Sequence, residues 1–368
     1  MPANELSEDN VKLVETFGAK KLDGIANIPD FYTFRNGLIY SHRDFDAFYS
    51  RLMKGEKSAI VSGFNASASM HIGHLGVFDT NLFFQREYGA EVFIPLSDDE
   101  SYVSNKIKTQ EEGLKNAMML ARSMIAYGFE RGKTRIIIDQ LYTNIYNLAI
   151  RVSRGVNMSE IKAVYGYVPE QNVGLHFYPA IQSAHIVLPQ TLGIRNVLVP
   201  IGPDEDAHLR VCRDIAEKFG FDKPAVLHSK FMPGLDGNKM SKSRNNAVFL
   251  LDKESEIKKR VFSAFSGGRT SIEEHRRLGG DPEVDVAYLY LKSYFLGGEE
   301  SRSVYDAYRS GKMLSGELKQ MLLDRIMVRI GEFKKRYERV TAKDLEAFLM
   351  VNEGVDIAAE ADRLHVFS

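Results

Sequence analysis

Two histidines flank an isoleucine and a glycine in His71-Ile72-Gly73-His74, where a short apolar run gives way to helical periodicity. Side chains three residues apart share one face of a first helical turn. A helix N-terminus offers unpaired N–H groups and the positive end of a dipole, which attract phosphate. Gly73 omits a side chain, so a flat base or a ribose can approach the backbone. Imidazole is a compact donor for charge developing on a reacting phosphorus. A single histidine here would read as a core or capping residue, but the whole tetrad at a strand–helix turn favours phosphate chemistry. A second cluster, Lys239-Met240-Ser241-Lys242-Ser243, lies in a Gly-rich loop at 234–244. Its two ammonium groups and two hydroxyls suit a leaving pyrophosphate. Taken alone, it reads equally well as a solvated charged loop. A zinc site at His71 and His74 is disfavoured, because no cysteine ligand is near and the intervening Gly73 does not favour a rigid site.

These side chains need elements to hold them. Ser58-Ala59-Ile60-Val61 is the pattern of a buried parallel strand, and Ser67 to Met70 form a small-residue turn after it. Helical spacing then runs from His71 through Leu75, Phe78, Leu82 and Phe83 to Tyr88-Gly89. Strands are predicted at Glu91–Leu96, Thr134–Ile138, 197–201 and 225–228, with helices at about 111–127 and 207–219. The first of these helices carries Leu114, Met118, Ala121 and Ile125 on one face. The alternation implies an α/β sheet with right-handed crossovers. Upstream, Gly37–Tyr40 reads as a short strand, and Asp44–Tyr49 opens a helix capped by Ser41 or Asp44. Strand signals fade from about residue 252, and segments 301–310 and 315–337 are amphipathic. The predicted fold is α/β: a Rossmann-type parallel-sheet nucleotide-binding catalytic domain with a helical insertion at about 140–190, followed by an all-α C-terminal domain. The expected division is an N-terminal segment 1–57, a catalytic domain 58–251 and a helical domain 252–368.

Composition narrows the function class. Hydrophobic residues make up 44% and charged residues 26%, the mix of a soluble globular protein. No run approaches the roughly 20 apolar residues that span a bilayer. The segment Met1 to Asn10 is acidic and polar, unlike a secretory signal. Cys212 is the single cysteine, which excludes an intrachain disulfide framework and makes a cytoplasmic location the default. The net charge of −1 means that any RNA contact must use local patches.

In their order along the chain, at opposite ends of the predicted sheet, the two motifs resemble the HIGH and KMSKS signatures of class I aminoacyl-tRNA synthetases, without a mismatch. Gly202-Pro203-Asp204-Glu205-Asp206 resembles the Gly-x-Asp-Gln-Asp segment of the tyrosyl and tryptophanyl enzymes, and Pro179-Ala180-Ile181-Gln182 their Pro-Ala-Ile-Gln segment. The stretch 265–276, with Gly279-Gly280, Val284–Val286 and 310–319, is similar to the C-terminal domain of the archaeal–eukaryotic tryptophanyl branch. Segment 35–45 resembles the N-terminal part of archaeal members, so the likeness covers about residues 30–345.

The resemblance implies ATP-dependent formation of an aminoacyl-adenylate and transfer to tRNA. It implies His71, His74, Lys239 and Lys242 as the catalytic set. Gly73, Asp204, Met240, Ser241 and Ser243 would bind ATP, and Mg²⁺ would ride mainly on the nucleotide phosphates. For the amino acid it implies Glu100, Gln182, Glu205 and the first-strand position held by Val61. The tyrosyl pattern needs a Tyr at position 61 and an Asp at 185, where this chain has Val61 and His185, so L-tryptophan and tRNA(Trp) are the implied substrates. The family's indole partners align with Val61 and Pro95, neither of which can accept an N–H. Glu205 reads equally as a carboxylate at the start of the helix at 207–219. The resemblance further implies a homodimer and an anticodon-reading helical domain, with Lys334-Lys335-Arg336 as a candidate RNA patch or a solvated helix face. Competing readings are a tyrosyl enzyme, a nucleotidylyltransferase sharing the His-x-Gly-His turn, and a synthetase-like paralogue.

Overall fold

The computed structural model describes residues 14, 16–25, 27–67, 69–238, 240 and 246–367. Lys239, Ser241, Lys242 and Ser243 lie outside the described residues. The chain forms two compact units: Met1–Ser41, Met70–Thr80 and Ser229–Lys335 make the first, and His42–Ser69, Asn81–His228 and Arg336–Ser368 the second.

The strands in chain order are β1 (Lys20–Lys21), β2 (Ile39–Arg43), β3 (Ser58–Val61), β4 (Phe64–Asn65), β5 (Glu91–Ser97), β6 (Thr134–Ile138), β7 (Asn196–Ile201), β8 (Ala225–Ser229) and β9 (Leu349–Met350). In the second unit the order is β8-β7-β3-β5-β6-β9, with β4 continuing along β5. These pairings are parallel, with Val61 opposite Phe93, Leu96 opposite Ile138, and Ile136 opposite Leu349. All four residues of β3 are buried, as a central parallel strand covered on both faces requires.

The helices that matter below are α1 (Phe45–Met53), α2 (Leu75–Tyr88), α3 (Asp98–Val103), α4 (Gln110–Tyr127), α5 (Asn144–Ser153), α6 (Met158–Tyr165), α7 (Val173–Thr191), α8 (Asp206–Lys218), α9 (Val286–Tyr290) and α10 (Ser315–Tyr337). The predicted insertion is α5, α6 and α7. The apolar faces of α5 and α7 join the sheet in one core that includes Val61, Phe93, Ile137, Ile145, Ala149, Ala180, Ala184 and Val199.

Local chemistry sets the helix ends. Thr109 caps α4 by accepting from Glu112 N–H, and Gly128, at φ 112°, closes it. Asn157 and Glu160 form a capping box on α6. At α1 the expected cap is corrected: Asp44 occupies the N-cap position but makes no cap bond. Its carboxylate takes the Arg213 guanidinium instead, and His42 Nδ1 accepts the Phe45 N–H at 3.2 Å.

In the first unit, buried Asp285 organises the start of α9. It accepts the N–H groups of Ala287 and Tyr288 at 3.0 and 3.2 Å, the Gly267 N–H at 2.9 Å and the Tyr308 hydroxyl at 2.7 Å. Gly279 has φ +72°, and a Cβ there would strike the Arg309 carbonyl, so a glycine is required.

Candidate active site

The residues singled out from sequence divide between the two units. His71, Gly73, His74 and Met240 belong to the first, and Val61, Glu100, Gln182, Asp204 and Glu205 to the second.

In the first unit, Ile72–His74 form a 3-10 turn that leads into α2. His71 is extended and bridges Phe249, while Ile72 N–H donates to the Val248 carbonyl at 3.0 Å. The histidines cap one another's backbone. His74 Nδ1 accepts the His71 N–H at 3.1 Å, and His71 Nδ1 accepts the Gly73 N–H at 3.2 Å. His71 Nδ1 is thus an acceptor, which places its ring proton on Nε2, whereas His74 Nδ1 lies 3.1 Å from both the His71 N–H and the His71 carbonyl. The rings lie 3.7 Å apart between centroids. Burial pushes His71 down to about 4 and His74 well below its ordinary value, with the neighbouring His71 adding to the latter. Both are neutral N–H donors at pH 7. A Cβ on Gly73 would lie 2.8 Å from Met240 Sδ and 3.0 Å from His71 Cε1. The space beside Gly73 is thus taken up by the Met240 side chain.

In the second unit, Val61 ends β3 and is 2% exposed, packed in the apolar core. Pro95 is buried in β5 opposite Ile137. Glu100 lies in the first turn of α3, where Lys106 Nζ meets its Oε1 at 2.8 Å and the Asn65 amide donates to its Oε2. Asn65 is fixed in turn by Ser67 N–H at 3.0 Å and the Ser101 hydroxyl at 2.9 Å. Gln182, on α7, accepts the Tyr165 hydroxyl at 3.1 Å and donates to Glu205 Oε2 at 3.3 Å. Glu205 Oε2 also meets His208 Nδ1 at 3.0 Å. Burial alone would raise the Glu205 carboxyl, but the His208 and Gln182 hydrogen bonds hold it below its ordinary value. Glu205 precedes α8 without capping it, so its carboxylate is directed at side chains. Asp204 is exposed in the 3-10 turn Pro203–Glu205. Asp206 is buried, gripped by Arg43 at 2.6 and 2.8 Å and by His228 at 3.0 Å.

The structure thus joins Gln182 to Glu205 directly and gives Glu100 its own partners, Asn65 and Lys106. Sequence reading missed Asn65, Lys106, Tyr165 and His208. The Tyr165 and His208 rings stack at 4.1 Å beside Glu205. Asn65 carries a local signal, as an Asx turn two residues before Ser67. His208 stands three residues after Glu205 and Lys106 six after Glu100, while Tyr165 reaches Gln182 from the preceding helix. The Lys334-Lys335-Arg336 patch is partly spent on capping: Lys334 donates to the Asp252 carbonyl, and Arg336 to the Ala126 carbonyl at 2.6 Å.

The family described as tRNA synthetases class I (W and Y) matches residues 53–329. Tryptophan--tRNA ligase 2 of Halobacterium salinarum is 38% identical over 364 residues, covering 96% of this chain and 94% of that protein. Tryptophan--tRNA ligase of Methanocaldococcus jannaschii is 35% identical, covering 90% and 92%. The crystal structure of tryptophanyl-tRNA synthetase from Aeropyrum pernix superposes with a TM-score of 0.86 at 30% identity, over 96% of this chain and 99% of that one. A match to the family over most of its length, and to such relatives over nearly all of it, means that the chain belongs to the class I tRNA synthetases of the W and Y family.

Proposed function

We propose that this protein activates L-tryptophan with ATP and transfers it to tRNA(Trp). The observation that carries the reading is the His71–His74 turn, two neutral N–H donors held by each other's backbone, in a chain related throughout its length to tryptophan--tRNA ligases. In the proposed reaction the substrate carboxylate attacks the α-phosphorus of ATP in line, the bond to the β-phosphate oxygen breaks, and pyrophosphate leaves. A ribose hydroxyl of the terminal tRNA adenosine then attacks the carbonyl of the adenylate and AMP leaves. Positioning and charge stabilisation supply the catalysis. His71 and His74 donate to the phosphates, Gly73, Met240, Ser241, Ser243 and Asp204 are assigned to ATP binding, and Lys239 and Lys242 to the leaving pyrophosphate. Glu100 and Glu205, bridged through Gln182 in the latter case, suit a protonated α-amino group.

Mg²⁺ would arrive on the nucleotide, where it offsets phosphate charge. The carboxylates of Asp98, Asp99 and Asp139, which approach within 4.8 Å, do not fit as its site: they are largely buried, and Asp98 already serves Gln140 and the Asp139 N–H. Mg²⁺ keeps several waters, for which such a cluster has no room. The helices after residue 252 are assigned to the anticodon end of tRNA, with a homodimer as the working assembly and the cytoplasm as its location. Among the described residues no helix is long and apolar enough to cross a membrane.

Amino-acid-dependent ATP–pyrophosphate exchange with each of the twenty amino acids tests the reading. Exchange with tryptophan alone is expected. Exchange with tyrosine alone would overturn the substrate assignment, and exchange with none, from folded protein, would overturn the activity.

A further inference from the structure

Helix α2, which leads out of the histidine turn, is held by segments far from it in sequence. Gly76, Asp79 and Thr80 share one of its faces, being three and four residues apart. Each meets a different partner within the first unit. A Cβ on Gly76 would stand 2.8 Å from Leu38 Cδ2. The Thr80 hydroxyl donates to that of Thr33 at 3.0 Å. Asp79 is 8% exposed, and it accepts the Tyr32 hydroxyl at Oδ2 from 2.7 Å and the Arg329 guanidinium at Oδ1.

Asp79 stands five residues after His74, about 7.5 Å along the axis. Its partners come from opposite ends of the chain. Tyr32 opens the short helix Tyr32–Arg35, and Arg329 belongs to α10, a rod of 23 residues. A third contact reaches the turn itself, where the Tyr294 hydroxyl points at the Gly73 carbonyl from 3.5 Å. Tyr294 stands in the π-helical turn Leu291–Phe295, a rare winding that is frequent at functional sites. A buried carboxylate that loses its cation keeps a charge that water must then reach. Between Asp79 and His74 there is little more than one turn of helix, so a shift at Asp79 that admits water also displaces the histidines.

Donors that stabilise developing charge work only when they stand within a fraction of an ångström of their place. We propose that Arg329, through Asp79 and together with Tyr32, positions the His71–His74 turn, so that a residue of the C-terminal helices sets the rate of adenylate formation. Arg329 is thus a positioning residue, acting on the reaction through α2. Glu100, Gln182 and Glu205 belong to the second unit, so tryptophan binding does not depend on the pair. The inference rests on the proposed function.

The test is ATP–pyrophosphate exchange with tryptophan by Arg329→Met, which keeps the aliphatic stem and removes the charge. It is expected to lose about 10- to 100-fold in kcat, the scale of a misplaced catalytic group, with KM for tryptophan within about twofold of wild type. Arg329→Lys returns a cation to Asp79 and recovers kcat to within about fivefold of wild type. The double variant Arg329→Met with Asp79→Asn loses no more than the worse single one, because both act through one contact. Tyr32→Phe removes the other donor, shows the same split between kcat and KM, and serves if the methionine variant does not fold. A folded methionine variant with kcat within about twofold of wild type overturns the inference. So does a lysine variant no better than the methionine one, or single losses that multiply in the double variant. A purely structural pair would lower the melting temperature and leave kcat of the folded enzyme unchanged, which also overturns it. Absence of tryptophan exchange in the wild type is a different failure, because it strikes at the proposed function before any variant is compared.

Discussion

In the proposed reaction His71 and His74 act as neutral donors, and burial is what keeps them neutral, with a backbone N–H set against each Nδ1. The sign follows directly. A lowered imidazole gains charge only as pH falls toward about 4 for His71. Between pH 6 and 8 these two rings therefore impose no slope on the exchange rate. His74 has a second role, since its Nδ1 accepts the His71 N–H. His74→Ala removes both donor and cap, whereas His74→Asn retains an acceptor for the cap. Both variants should lose about 100- to 1000-fold in kcat for exchange, the usual cost of one charge-stabilising donor. Only the alanine variant should lose about 1 kcal/mol of stability from the missing cap. Stopped-flow adenylate formation and calorimetric tryptophan binding separate the roles. Parallel loss of rate and tryptophan affinity in His74→Asn would remove the histidine from transition-state stabilisation.

At the scale of elements, Asp206 shows how a motif residue can act without touching substrate. It opens α8, yet its side chain accepts from Arg43 on β2 and from His228 on β8. Burial alone would raise its carboxyl, but the His228 and Arg43 hydrogen bonds hold it far below the usual carboxylate range. Asp206→Asn should cost about 3–5 kcal/mol, because Arg43 and His228 then lose the charge that they face in the interior. Urea unfolding with an unchanged m-value would register it, and a loss under about 1 kcal/mol would show the pair to be expendable. Elements of this kind explain what the sequence could and could not tell. The β3 and β5 strands and the histidine turn were legible because apolar runs and a four-residue motif are local signals. Strand β9 was not, since two residues carry no periodicity. His42 as the cap of α1 was hidden because Asp44, the better local candidate, is drawn off by Arg213, distant in sequence. Asn65 meets Glu100 only when β4 is laid along β5, whereas Lys106 and His208 lie six and three residues from their carboxylates and were legible as local spacing.

For the molecule as a whole, two sets of displaced groups oppose each other. His71, His74 and His185 are lowered by burial, so the unfolded chain binds protons there that the folded chain refuses below pH 6.5. That lowers stability as pH falls from 6.5 toward 4. Asp98 is raised by burial to about 6, and Asp99 and Asp139 are raised well above their ordinary value, also by burial first and by neighbouring carboxylates second. These groups take up protons on folding where the unfolded chain stays ionised, which raises stability across the same window. The two trends offset, so wild-type stability should vary little between pH 6.5 and 5. Further acid then removes the contribution of the lowered carboxylates Asp206, Glu205 and Asp222. Removing one member of either set should expose the other. His71→Asn takes away a group that penalises acid, so its melting temperature should rise relative to wild type on going from pH 6.5 to 5. Asp98→Asn takes away a group that favours acid and should fall over the same interval. Circular-dichroism melts of the three proteins at pH 6.5, 5.75 and 5 test the balance. Curves that stay parallel would mean that neither set changes its protonation on folding.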